Sequence, residues 1–270
     1  MPACFLHVSD VHVGAREERV EAALADLIGR LAPELVVASG DLTHRGRRTE
    51  HERAAAFLRA LGPAVLAVPG NHDIPYRLPH RFTSPWREFE LQWETVEPTF
   101  SADGLHVVGL NSVRPWRHQS GGLDDAALDR AAERLAAAPP GALRVAVLHH
   151  QLVGAPWRTR KKPVARRSHV LAQLVGAGAE LILGGHIHQG AVSERHEFEV
   201  IDADTRGAVV SIAPGLGRPR PHRLGEARGV VLYTADDSTL RVDTYIWRGD
   251  DWVLTAARTF ARGAEPLEEL

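Results

Sequence analysis

The sequence predicts an α/β fold with mixed sheets, and three features carry that prediction. Short apolar runs alternate with stretches of helical period through the first quarter of the chain. Several of those runs stop at a residue of metal-binding type. From about residue 191 the helical pattern gives way to successive strand-like runs separated by Gly, Asp or Arg turns. The first feature argues for parallel strands with helices on the sheet faces, and the third for a C-terminal antiparallel meander.

Residues 3–8 form an apolar run followed by a turn, which reads as a buried strand. Val20, Leu24, Leu27, Ile28 and Leu31 recur at helical period over 17–31, and Pro33 closes that helix. A second strand at 35–38, a helix at 51–61 and a third strand at 64–68 follow. Residues 74–100 break the pattern: they are rich in Pro, Arg and aromatics, and read as a long excursion with a short helix near 84–93. A strand at 105–110 leads to an alanine-rich helix at 124–137, with Asp124 or Asp125 placed to cap it. A strand at 144–148, a basic loop at 151–167, a helix at 168–175 and a strand ending near Gly184 complete this half. Beyond it, strands are expected at 209–212, 230–234, 240–247 and 252–256. No repeat or linker divides the chain, so residues 1–270 are expected to form one domain. Residues 1–190 would carry the chemistry and 191–262 would complete the second sheet.

Composition narrows the chemistry. The 270 residues contain 15 histidines and one cysteine, Cys4. One cysteine excludes an intramolecular disulfide and a cysteine-based metal site, so any metal must be held by nitrogen and oxygen. A net charge of -2 argues against extensive nucleic-acid binding. No apolar run is long enough to span a bilayer and the first residues lack a signal-peptide pattern, so a cytoplasmic location is expected.

Five apolar runs end in ligand-type residues. These are Asp10 with His12, Asp41, Asn71 with His72, His149 with His150, and His186 with His188. In an open α/β sheet such positions gather along the carboxyl ends of the strands, where sites form. Asp10, His12, Asp41, Asn71, His149, His186 and His188 supply four imidazoles, two carboxylates and one amide. That mixture suits zinc, manganese or iron and poorly suits calcium. Seven donors exceed what one such ion takes. If Asp41 bridges, they divide as four to each of two divalent ions, the clamp used to hydrolyse phosphate esters.

The series Asp10-x-His12, Gly40-Asp41, Gly70-Asn71-His72-Asp73, His149-His150 and Gly185-His186-x-His188 resembles the calcineurin-like metallophosphoesterase superfamily, over residues 5–188. The fit is nearest to small bacterial phosphodiesterases of the class III cyclic nucleotide type. The resemblance implies a four-layer α-β-β-α sandwich. It implies one ion held by Asp10, His12, Asp41 and His188, and the other by Asp41, Asn71, His149 and His186. His72 would stand uncoordinated beside the scissile phosphate. Gln151 departs from the pattern, because a proline is common there.

Other residues have plainer readings. His7 reads as a core histidine or as one supporting a ligand, and His150 and Asn111 as supporting residues. Asp73 reads as a cap on its own segment. His44, Trp157, Arg158 and Arg160 are candidates for substrate contact, although a basic loop is by default a solvated face. The expected function is a dinuclear metal-dependent phosphodiesterase. In it an ion-activated hydroxide attacks a small organic phosphodiester, of cyclic nucleotide or glycerophosphodiester type, and His72 assists the leaving oxygen. A phosphomonoesterase, a nuclease-like enzyme and a non-catalytic scaffold are the alternatives. The sequence does not speak to oligomeric state.

Overall fold

The computed structural model describes residues 2–14, 17–117, 119–156, 159, 161–198, 207–220 and 222–262. Two six-stranded mixed sheets form its frame. The first sheet begins with β1 (Ala3–Val8), β2 (Leu35–Ala38) and β3 (Ala64–Ala67), which run parallel. The second has a parallel centre of β5 (Leu105–Gly109), β6 (Leu143–Val147), β7 (Leu181–Gly184) and β9 (Val209–Ile212). Its antiparallel edges are β4 (Thr99–Ala102) and β8 (Ala191–Glu194).

Alternation along the strands decides which face each residue covers. Phe5, Leu35, Val37 and Leu66 of the first sheet share one apolar cluster with Val107, Val145, Leu181 and Leu183 of the second. The intervening residues Leu6, Val8, Val36 and Ala38 face the other way. They pack with Leu24, Leu27 and Ile28 of α1 (Glu18–Leu31) and Ala54 and Leu58 of α2 (Arg48–Arg59). On the second sheet, Val108, Ala146 and Ile182 pack with Leu128, Ala131 and Leu135 of α5 (Asp125–Ala136) and with Val170 and Leu174 of α6 (Arg167–Gly176). One core between the sheets and one outside each sheet is what an α-β-β-α layering requires. Asp124 caps α5, accepting from the Ala127 amide at 2.9 Å. The excursion at 74–100 contains α3 (His80–Thr83), α4 (Arg87–Trp93) and the edge strand β4, which carries no strong apolar signal.

The C-terminal strands correct the expectation that 191–262 completes the second sheet. Only β8 and β9 do so. β10 (Gly229–Ala235), β11 (Thr239–Trp247) and β12 (Trp252–Ala261) extend the first sheet, with β10 antiparallel to β1 and Ala3 opposite Ala235. β9 therefore lies outside the meander. Its four residues are buried on both faces, as suits a parallel interior strand, whereas β12 is exposed along most of its length. The inward residues Val231, Tyr233, Leu240, Val242 and Phe260 join the same inter-sheet core from the other side.

Candidate metal centre

The carboxyl ends of β1, β2, β3, β6 and β7 meet at one edge of the two sheets. The seven expected donors lie in the loops just beyond. The backbone has to bend sharply to aim them. Eight described non-glycine residues have positive φ, and five are expected donors: Asp10 at 50°, His12 at 43°, Asp41 at 52°, His186 at 71° and His188 at 58°. Each such residue costs about 1–3 kcal/mol and persists where the surroundings over-determine it. Two glycines permit the approach of the loops. A Cβ on Gly70 would lie 2.1 Å from the Asp41 amide nitrogen, and one on Gly185 would lie 1.8 Å from Ser9 Oγ.

The donors fall into two clusters. In one, His188 Nε2 is 2.9 Å from Asp10 Oδ1 and 3.3 Å from His12 Nε2. In the other, His149 Nε2 is 3.3 Å from Asp41 Oδ1, 3.3 Å from Asn71 Oδ1 and 3.1 Å from His186 Nδ1. Asp41 reaches both, because its Oδ2 is 3.7 Å from His12 Nε2.

The far ring atoms of three histidines are held by carbonyls: His12 Nδ1 by Thr43 at 3.1 Å, His149 Nδ1 by Ser39 at 2.8 Å and His186 Nε2 by Gln119 at 3.1 Å. A proton on the far nitrogen leaves the near one bare for a cation. Asp10 Oδ2 accepts from Ser9 Oγ at 2.7 Å and from the His186 amide at 2.9 Å. Asp10 Oδ1 and Asp41 Oδ2 are buried without any hydrogen bond, although imidazoles stand close by. Their neighbours converge on common points and not on them. Two orphaned carboxylate oxygens among bare imidazole nitrogens fit divalent cations with nitrogen and oxygen preference.

Electrostatics agree. Burial alone would raise the Asp41 carboxyl, but His149, His72 and His12 hold it well below the usual carboxylate range. Burial likewise opposes ionisation of Asp10, and His188, Lys161 and His149 outweigh it. Burial lowers His12 to about 4, against the pull of Asp41 and Asp10. His186 is also driven well below its ordinary value, by burial first and then by the proximity of His150, Lys161 and His149. His149 goes the other way. Burial would lower it, yet contact with Asp41 raises it to about 9. Without metal, then, His149 is a cation paired with Asp41, and a bound metal must displace its proton.

The remaining expected residues sort as follows. The His72 amide donates to Asp41 Oδ1 at 2.8 Å, and the His72 ring stands edge-on to His12 with centroids 4.9 Å apart. His72 Nδ1 lies 2.8 Å from the His44 carbonyl and 3.0 Å from Tyr76 Oη. His44 is exposed and its ring stacks on His72 at 5.8 Å, so it does reach the rim. Trp157, Arg158 and Arg160 lie outside the described residues. Their neighbour Lys161 turns inward: its ammonium donates to the His186 carbonyl and sits 4.0 Å from Asp10 Oδ1. A lysine in a basic run gives no sequence sign of that orientation. His7 is fully buried, 2.8 Å from Ser39 Oγ, and His150 Nδ1 meets Ser112 Oγ at 2.9 Å. Asp73 does more than cap its own segment. It accepts from the amides of Leu42, Thr43 and Gly70 and so ties the Asp41 loop to the Asn71 loop. Asn111 accepts from the Val113 amide at 3.0 Å and shapes its own turn.

Over 182 residues the chain is 29% identical to a probable cyclic nucleotide phosphodiesterase of Synechococcus, covering 64% of this chain and 65% of that one. Over 78 residues it is 36% identical to a glycerophosphodiester phosphodiesterase of Enterobacter lignolyticus, covering 25% of this chain and 28% of the relative. The chain thus matches under two thirds of either relative's length. Among solved structures, purple acid phosphatase PPD1 from yellow lupin seeds superposes with a TM-score of 0.69 at 11% identity, over 97% of this chain and 54% of that one. This likeness is one of fold. Among the described residues, no helix is long and apolar enough to cross a membrane. The profile of the calcineurin-like phosphoesterases matches residues 5–190, and the chain belongs to that family.

Proposed function

We propose that this chain is a dinuclear metal-dependent phosphodiesterase acting on a small organic phosphodiester. The observation that carries the reading is the pair of orphaned, fully buried oxygens, Asp10 Oδ1 and Asp41 Oδ2, facing imidazole nitrogens. Asp10, His12, Asp41 and His188 would hold one ion, and Asp41, Asn71, His149 and His186 the other, Asp41 being common to both sets. Manganese, iron and zinc all suit these donors. Two such ions, when bound, activate water and offset charge on the phosphate oxygens.

The chain's own groups do the rest. His72, its Nδ1–H donating to the His44 carbonyl, turns Nε2 toward the substrate side; with both ring nitrogens protonated it gives the Nε2 proton to the leaving oxygen and stays behind as the neutral Nδ1–H imidazole. Lys161 places a fixed positive charge at the Asp10 side, where a phosphate oxygen would lie. Tyr76 lies beside His72 with ring centroids 5.7 Å apart, and Tyr76, Leu78, Phe82 and Trp116 all expose their side chains. Arg81 ties their loops together, donating to the carbonyls of Pro75 and Pro115. That apolar ledge supports a diester with a sizeable organic leaving group. The phosphodiesterase names of the two relatives support the same substrate class.

The test is metal analysis with turnover of a chromogenic phosphodiester and its monoester counterpart. Two ions per chain and a preference for the diester are expected. His72→Ala is expected to keep both ions while turnover falls by about 10²–10⁴. A chain that binds no transition metal, or a His72→Ala variant of unchanged turnover, overturns the assignment.

A further inference from the structure

One donor histidine differs from the other three. The far nitrogens of His12, His149 and His186 meet backbone carbonyls, but His188 Nδ1 faces a carboxylate, Glu226 Oε2, at 3.8 Å. The Glu226 side chain is only 3% exposed. Arg220 pins it, its amide donating to Oε2 at 3.1 Å and its Nε lying 3.1 and 3.2 Å from the two oxygens.

The segment that delivers Glu226 is fastened to the site. The Leu216 amide donates to the Ser9 carbonyl at 2.8 Å, and the Gly217 amide to the Asp10 carbonyl at 3.0 Å. Gly215 lies against the His188 ring, where a Cβ would come within 3.4 Å of Cγ. Gly215 also bridges both Ser9 and Arg228. This wall falls outside residues 5–190, the span that matches the family profile.

We propose that Glu226 is a positioning residue for the ion at Asp10, His12, Asp41 and His188. His188 Nε2 points at Asp10 Oδ1, so a metal-binding His188 must carry its proton on Nδ1. Glu226 accepts that proton's hydrogen bond after a shift of about 1 Å or less. The carboxylate fixes the tautomer, makes the ring a stronger donor and adds negative charge beside one ion only. The C-terminal wall thereby adds to an inequality that the donors already impose, since one ion would meet two carboxylates and the other a carboxylate and an amide. The proposal rests on the two-ion reading above.

The experiment is calorimetric titration of Mn²⁺, and separately Zn²⁺, into the chelator-stripped full chain. The wild type is expected to take two ions with distinct dissociation constants. In Glu226→Gln one constant rises about 10–100-fold, the usual effect of losing such a partner. The other constant and the melting temperature of the metal-free protein stay unchanged. Arg220→Met removes the brace but leaves the carboxylate charge, and is expected to lose less than Glu226→Gln. Unchanged constants in Glu226→Gln beside a two-ion wild type overturn the role of Glu226 alone. Equal losses in both variants overturn it too, since the wall would then act only as a brace. A wild type that takes fewer than two ions overturns the underlying two-ion reading instead.

Discussion

The two halves of the candidate metal centre differ in depth. Asp41, His149 and His186 are completely buried, whereas the side chains of His12 and His188 keep 16% and 11% of their surface exposed. Both halves draw on strand ends of the two sheets. The difference lies in what covers them. The deep cluster sits under the Asn71 and Gln119 loops, with its imidazoles supported by backbone carbonyls. The shallow cluster borders the wall at 215–228 and the inward-turned Lys161. Each half also holds a fully buried carboxylate, Asp10 in one and Asp41 in the other, so the contrast in depth is one between their imidazoles.

Removing the residue common to both halves is expected to have the largest effect. Asp41→Asn takes away the charge that faces His149 on one side and His12 on the other. At least one ion should be lost and activity nearly abolished, with the fold kept. Full occupancy by both metals in this variant would contradict the bridge.

The next comparison is between single histidines in the metal-free protein. His149→Ala leaves the Asp41 carboxylate buried without its ion-pair partner, which is expected to cost about 3–5 kcal/mol in chemical denaturation. His12→Ala removes a largely buried imidazole that burial keeps neutral and no ion pair depends on, and should cost about 1 kcal/mol or less. Equal losses would mean that depth does not separate the clusters.

A smaller effect is expected from pH, again without metal. His149 is raised to about 9 in the fold, so its contribution is complete below about 6.5 and fades as pH climbs toward 9. His12, lowered to about 4, and His7, lowered to about 3 by burial, act oppositely. The unfolded chain takes up their protons first, so stability falls as pH drops from about 6.5 toward those values. Stability should therefore peak near pH 6–7. With both ions bound the His149 proton is already gone, and the decline toward pH 9 should disappear. A metal-free melting curve flat between pH 6.5 and 9 would remove the proposed Asp41–His149 ion pair.

That the seven expected donors would come together was legible in the sequence, because each follows an apolar run that had to be a strand, and strand ends gather at one edge. His72 and His44 were legible for the same reason. Glu226 was not, since 38 residues and several turns separate it from His188. Nor was the inward turn of Lys161, which depends on a flexible side chain choosing one direction. The helices and most strands followed from periodicity. The sheet that β10–β12 would join did not, because alternation shows that one face is buried but not which edge a strand will pair with. The strands after β9 close the first sheet because β1 has an open side, and no local pattern in β1 announces it.

That pairing bears on how the protein comes into being. β1, which leads to Asp10 and His12, precedes β10 by more than 220 residues, yet β10 is its neighbour on one side, with Cys4 opposite Thr234. Tyr233, made late, also stacks on Phe5 with ring centroids 4.8 Å apart. A nascent chain released only as far as residue 190 has every donor atom but leaves β1 unpaired along one edge. Closing a loop of more than 220 residues must precede a finished site. Synthesis of the candidate ligands and the pairing of β1 with β10 are thus separate events.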